Sequence, residues 1–229
     1  MAGLDQPELR PSFPDGPPIS REKRVRQILD QTGAVLTDGH FLYTSGLHGD
    51  TYINKDAIYP HTQETKEICG MWAEDFKDAD IEVVVGPAMG GVILANNTAD
   101  ALTLITGHDV PGVYAEKADK GFVFTRGYEE FVKGKRVLVV EDVLTTGGSA
   151  KSVVEAVREI GGEVVGVAVI ANRGGVKPQD LGVDILDSLM DIQMKAVRQG
   201  ECQKCSEGIP INTRVGAGKK LASPQTSNS

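Results

Sequence analysis

The sequence predicts an α/β protein with a mostly parallel central sheet flanked by helices. Two observations carry that expectation. Apolar runs such as residues 137–140 do not alternate with polar residues, so they read as strands buried on both faces. Strand-like and helix-like segments then follow one another in turn, the order that crossover connections in a parallel sheet produce. The length, 229 residues, suits one such domain with a small appendage.

Each element has its own signal. The first twenty residues, MAGLDQPELRPSFPDGPPIS, hold five prolines and no apolar core, so they read as a disordered arm and not as a secretory leader. Residues 21–32 read as a helix, with Val25, Ile28 and Leu29 at helical spacing. Residues 39–59 contain short β-like pieces broken by Ser45-Gly46 and His48-Gly49. Residues 63–77 read as a second helix whose apolar face is Ile68, Met71, Trp72 and Phe76. A buried strand at 83–85 leads into GPAMGG and a helix from about Val92, and a third short strand covers 113–116. Residues 118–135 are polar and charged and read as a β-hairpin or a mobile loop. After the strand at 137–140 come a helix-like stretch at 150–160, a strand at 163–171 and one more edge strand at 185–190. The end, AGKKLASPQTSNS, reads as a frayed tail, and there are no internal repeats.

Composition excludes several classes. Hydrophobic residues make up 40% of the chain, yet no apolar run is long enough to span a membrane. A net charge of −8 argues against a general nucleic-acid binder. Three cysteines do not make a secreted disulfide framework, so the expected location is the cytoplasm.

The most informative stretch is RVLVVEDVLTTGGSA at 136–150. Its apolar run presents Glu141 and Asp142 at a strand's carboxyl edge, where open α/β sheets place their ligands. Adjacent side chains on a strand point to opposite faces, so both acids reach one ligand only where the strand bends into the turn. Thr145, Thr146, Gly147, Gly148 and Ser149 can wrap a phosphate with N–H groups and hydroxyls at a helix start. A phosphate next to vicinal hydroxyls satisfies both halves, and that describes a phosphorylated ribose. The loop Gly86-Pro87-Ala88-Met89-Gly90-Gly91 repeats the strand–glycine–helix arrangement and suits a second anion. The charged segment beyond Glu116 supplies Lys117, Lys120 and Arg126, which can close over an anionic leaving group, with Lys117 the first candidate because it ends a strand.

The composite of apolar run, two acids and TTGGS resembles the phosphoribosyl diphosphate (PRPP) signature of the type I phosphoribosyltransferases. Over residues 33–173 the chain is similar to the orotate branch of that family. The resemblance implies the type I fold, with a single domain at 21–215, a small hood made of N-terminal (33–60) and C-terminal (185–215) segments, and a tail at 216–229. It implies a PRPP site formed by Glu141, Asp142, Val143, Leu144, the 145–149 turn, Ala88, Met89, Gly90, Lys117, Lys120 and Arg126. Lys117, Lys120, Glu141 and Asp142 would take the catalytic roles. In YTSGLHGDTYIN, Tyr52 and Ile53 occupy the family's aromatic positions, with Tyr52 stacking on a pyrimidine; Thr145 would lie near base and ribose. Arg173, in VIANRGG, stands where the family pairs an arginine with the base carboxylate, although an exposed arginine after a strand is an ordinary occurrence. Mg2+ would be held mainly by PRPP, since a small hard cation prefers phosphate oxygens and water. A homodimer is implied as well.

The chain departs from the family pattern at several places. Thr44 stands where relatives carry a lysine before the hood's serine-glycine, and Gly90 where they carry one in the pyrophosphate loop. The catalytic loop reads AEKADKGFVFTRGYEEF, with Glu116 in place of an arginine and Phe122 near an expected histidine. Cys202-x-x-Cys205 offers two of the four ligands a structural zinc needs; a second chain, other ligands, redox use or a packing turn are all consistent with it, and no metal is assigned. Three functions follow: transfer of phosphoribose to orotate, transfer to a purine or another base, or a PRPP-sensing regulator with little catalysis.

Overall fold

The computed structural model describes residues 19–222 apart from Thr44 and Gln193. The arm through residue 18, the tail beyond 222 and Thr44 therefore lie outside the described residues. In order, the elements are α1 (Arg21–Gln31), β1 (Val35–Leu36), β2 (Phe41–Leu42), β3 (His48–Gly49), β4 (Tyr52–Ile53), a 3-10 turn (Lys55–Ala57), α2 (Thr62–Phe76) and β5 (Val83–Pro87). Then come α3 (Gly90–Thr106), β6 (Gly112–Lys117), β7 (Phe122–Val123), α4 (Glu129–Val132), β8 (Arg136–Leu144), α5 (Gly148–Glu159) and β9 (Glu163–Asn172). The chain continues with α6 (Pro178–Leu181), β10 (Leu186–Asp191), a 3-10 turn (Gln199–Glu201), α7 (Gln203–Ser206), another 3-10 turn (Gly216–Gly218) and α8 (Lys219–Ala222).

The main sheet has six strands in the order β10-β9-β8-β5-β6-β7. All neighbours are parallel except β7, which returns antiparallel to β6. Successive residues of β8 explain why the sequence does not alternate there. Leu138 and Val140 face a core with Ile28, Trp72, Leu94 and Ile170, whereas Val137 and Val139 face one with Val153, Val157, Val167 and Val169. Helices α1, α2 and α3 supply the first core and α5 the second, so both faces are covered. A small hood precedes this sheet. It consists of two antiparallel pairs, β1 with β4 (Val35↔Ile53) and β2 with β3 (Leu42↔His48).

Four boundaries differ from those the sequence predicts. Strand β8 does not stop before the acids: pairing with β9 continues through Glu141↔Val169, Val143↔Ala171 and Leu144↔Asn172. The acidic pair is therefore inside the strand, because β9 keeps offering backbone partners after β5 has left. Helix α3 starts at Gly90 and α5 at Gly148, so the glycine loops supply the first helical turns themselves. Residues 216–222, which the sequence placed in the tail, form a 3-10 turn and a helical turn. Gly216 packs there against the Tyr52 ring, where a Cβ would come within 3.0 Å, so contact with the hood carries regular structure past residue 215. Of the two readings for 118–135, the hairpin is the one that forms. Ala118 N–H donates to Gly121 O at 3.1 Å, and buried Phe124 and Val132 anchor the segment beyond it.

No helix among the described residues is long and apolar enough to cross a membrane. Leu138 is fully buried at the centre of the sheet. Leu138→Ala is expected to lower the unfolding free energy by about 2–5 kcal/mol, read from the urea midpoint at an unchanged slope.

Candidate active site

The site lies where β5 and β8 part. Their pairing runs from Val83↔Val137 to Val85↔Val139 and goes no further. The chain leaves β5 for β6 on one side, and leaves β8 for β9 on the other. Such a reversal opens a crevice at the strands' carboxyl ends.

Asp142 sits in that crevice, 2% exposed. Its Oδ2 accepts the Tyr59 hydroxyl at 2.7 Å and pairs with Lys55 Nζ at 2.8 Å, while Oδ1 accepts the Val143 N–H at 2.7 Å. Gly90 completes the enclosure. A Cβ at Gly90 would lie 2.3 Å from the Tyr59 hydroxyl and 2.6 Å from Asp142 Oδ2, so the loop after β5 rests directly on the carboxylate. Burial and then the Asp142 charge push the Tyr59 hydroxyl far above its ordinary pKa, so it remains a donor. Burial tends to lower the Lys55 pKa, but Asp142 and Glu141 outweigh it and hold the ammonium above its usual value.

Glu141 points the other way. It lines a small hollow of about 50 Å³ together with Val143 through Ala150. Thr145, Thr146 and Ser149 are exposed around it, and no side chain caps the start of α5. The first-turn N–H groups and the helix dipole are thus left for an anion. Gly147 has φ +76°, and a Cβ there would approach Leu181 Cδ2 to 2.8 Å, so the turn requires glycine on both counts. Burial, followed by the Asp142 charge, pushes the Glu141 carboxyl up to about 8.

The second loop is equally constrained. A Cβ on Gly86 would meet Gly91 O at 2.2 Å, which closes GPAMGG tightly between β5 and α3. The Ala88–Met89 peptide is cis, and Met89 is 85% exposed at the loop tip. Adjacent carboxylates at the end of β8 thus each stand beside a glycine loop, Asp142 under the loop after β5 and Glu141 in the hollow of the 145–149 turn, an arrangement able to hold a sugar bearing phosphates at two ends.

A model of the phosphoribosyl transferase domain matches residues 54–197. An orotate phosphoribosyltransferase of Caldanaerobacter subterraneus subsp. tengcongensis is 42% identical over 190 residues, 83% of this chain and 95% of that protein. The chain belongs to the phosphoribosyltransferase family. Among solved structures, Mycobacterium tuberculosis orotate phosphoribosyltransferase with inorganic phosphate is similar at TM-score 0.59 and 26% identity, covering 75% of this chain and 95% of that one. The same enzyme in complex with PRPP gives TM-score 0.53 at 25% identity over 75% of this chain and 89% of that one.

The remaining residues of this phosphoribosyltransferase fall into three groups. Arg173 belongs with the crevice: its N–H donates to Leu144 O at 2.8 Å, and Gly174 packs on Thr145 so closely that a Cβ would reach Thr145 O at 1.5 Å. The Asn172 side chain shapes this loop by bridging Val176 N and O at 3.0 and 2.8 Å. Leu144 contributes by position only, since its side chain is core and its carbonyl is already taken. The loop residues form a second group. Lys117 and Lys120 are exposed, whereas Arg126 is turned to Glu116 at 3.2 Å, which also accepts the Thr125 hydroxyl. The hood is the third: Tyr52 packs on Phe41 with ring centroids 5.6 Å apart, and Ile53 is buried.

Three residues escaped the sequence reading. Tyr43 lies beneath the Arg173 guanidinium, 5.3 Å from ring centroid to Cζ, and its hydroxyl donates to Thr51 O at 2.5 Å. Lys55 and Tyr59 carry the charge partnership of Asp142. Their signal was present in YINKDAIYP, where the two side chains stand four residues apart around a tight turn, the spacing that puts them on one side.

Glu141 generates a pH prediction. Its folded pKa, about 8, lies above the ordinary 4.5, so the folded chain binds this proton more tightly than the unfolded chain does. The stability it contributes is complete below about 4.5 and is lost as pH rises through about 8. In ligand-free protein, Glu141→Gln is expected to flatten the fall in unfolding free energy between those limits, measured by urea unfolding across the pH range. An unchanged slope would show that Glu141 ionises normally.

Proposed function

We infer that this protein is an orotate phosphoribosyltransferase, transferring the 5-phosphoribosyl group of PRPP to orotate to give orotidine 5′-monophosphate and pyrophosphate in pyrimidine biosynthesis. The observation that carries the reading is that the loop after β5 closes on Asp142 while its neighbour Glu141 lines the hollow of the 145–149 turn, with Arg173 bonded through its backbone to Leu144 beside that turn. The 145–149 turn and the start of α5 hold the 5-phosphate. Glu141 and Asp142 accept hydrogen bonds from the ribose hydroxyls and lower the energy of the positive charge that develops on the ring as the bond to pyrophosphate breaks. Ala88, Met89 and Gly90 offer backbone to the pyrophosphate, and Lys117 and Lys120 close over it from the β6–β7 hairpin. Arg126 joins them on release from Glu116.

The acceptor half follows from Arg173. A guanidinium stacked on Tyr43 is held in orientation and presents its fork to a carboxylate. Tyr52, Ile53 and Thr145 border the base in this reading. Orotate N1 reacts as an anion, so the protein's contribution is positioning, charge stabilisation and exclusion of water. Lys55 neutralises Asp142 from the side on which Gly90 leaves no room for a side chain.

Mg2+ enters with PRPP. Carboxylates buried against their own backbone and a lysine do not form an all-protein cage, which fits a cation that keeps phosphate and water ligands. When bound it neutralises pyrophosphate charge; Glu141 and Asp142 would hold it through the ribose hydroxyls. A cytoplasmic homodimer belongs to the same proposal, the dimer being read from mass in solution.

The test is to incubate the purified chain with PRPP, Mg2+ and a panel of bases and to follow pyrophosphate release. Turnover is expected with orotate and not with purines. Turnover with another base alone overturns the acceptor, and PRPP binding without turnover supports a sensor. Asp142→Asn is expected to reduce kcat about 10²-fold, and Lys55→Met to weaken PRPP binding about tenfold.

A further inference from the structure

The described residues contain one grouping of three or more His, Cys, Asp or Glu side chains with their ligand atoms drawn together, and it is not in the crevice. His40, His48, Cys202 and Cys205 place four such atoms within 4.8 Å of one another. His40 immediately precedes β2 and His48 opens β3, while Cys202 caps the start of α7 and Cys205 lies within it. Residues far apart in the chain thus meet at one point, with both histidines and Cys202 buried.

Ordinary hydrogen bonding does not account for the cluster. His40 Nδ1 lies 2.7 Å from Ile209 O, a carbonyl, so that nitrogen carries the proton and Nε2 presents a lone pair inward. Three groups converge on this single Nε2: His48 Nδ1 at 2.8 Å, Cys205 Sγ at 3.5 Å and Cys202 Sγ at 3.6 Å. His48 Nδ1 is also 3.4 Å from Cys205 Sγ. One lone pair accepts one hydrogen bond well, so it accounts for only one of these three close approaches. A tetrahedral Zn2+ with ordinary bond lengths has N–S edges of ~3.6 Å, which the three N–S separations match. The His40–carbonyl hydrogen bond is the outer partner that orients a metal-bound imidazole.

We propose that His40, His48, Cys202 and Cys205 form a structural Zn2+ site within one chain. Two nitrogens and two sulfurs select zinc among the common cations, and four protein ligands leave no position open for chemistry. The ion clamps the C-terminal segment to the hood. That segment already touches the hood through the backbone, with His48 and Val197 exchanging hydrogen bonds at 2.8 and 2.9 Å and Asn212 N–H donating to His40 O at 2.7 Å. The two thiols lose their protons on binding, and the metal holds them as thiolates.

The full chain, purified without added metal, is expected to carry about one zinc per molecule by elemental analysis. Replacement with Co2+ should give the intense visible bands of a tetrahedral site and thiolate-to-metal charge transfer in the near ultraviolet. Removal by a strong chelator should lower Tm by roughly 5–15 °C, restored by zinc. Cys205→Ser and His40→Gln should lose the metal, whereas Cys69→Ala, a change to a buried cysteine of α2, should retain it. Should the ligand variants fail to fold, the metal content and cobalt spectrum of the unaltered chain still decide. Stoichiometric zinc with a thiolate–cobalt band supports the site. Free thiols with no metal after zinc loading, a Cys202–Cys205 disulfide in protein kept anaerobic, stoichiometric iron instead of zinc, or a ligand variant that keeps its zinc would each overturn it.

Discussion

A carboxylate that is 2% exposed must be paired or protonated, and most of the crevice can be understood from how Asp142 is paired. Lys55 and Tyr59 reach it from the turn after the hood, Val143 from its own strand, and Gly90 closes over it from α3. Two other parts of the chain, the 55–59 turn and the start of α3, are thereby brought to one side chain on β8. The turn at 55–59 cannot move without uncovering a buried charge, nor can the loop after β5 without losing its seat. This side of the crevice is consequently held in place by the protein's own contacts, the kind of rigidity that positioning requires.

Glu141 and Asp142 divide the labour because of the pleat. The strand stays regular through both, so one carboxylate is directed to the Lys55 side and the other to the α5 side. The first is neutralised by a cation and the second is not, which is why burial leaves Glu141 holding its proton up to about 8.

What the sequence revealed and what it concealed separate along a physical line. The buried parallel strands, both glycine loops and the acidic pair were legible because each is encoded within a dozen contiguous residues: an unbroken apolar run, a glycine at positive φ, a helix start. Lys55, Tyr59 and Tyr43 were not, since their importance lies in contacts with Asp142 and Arg173 more than eighty residues away. The absent lysine at position 90 looked like a defect in the sequence. In the structure there is no volume for it: Tyr59 and Asp142 occupy the space, and the cation comes from Lys55. His40 and His48 carry no signal for a similar reason, because nothing near them in sequence resembles a ligand set.

The joining of hood and C-terminal segment has a consequence for assembly. His48 bonds to Val197, and His40 to Ile209 and Asn212, so the hood's partners lie some 150 to 170 positions further along the chain. Contacts of such high separation form late, after local βα units have collapsed. The last strand of the sheet, β10, ends at Asp191, so every strand is made before Val197, Ile209 and Asn212 are. The hood is therefore completed by a segment made after the sheet's strands and not by its own neighbours in sequence.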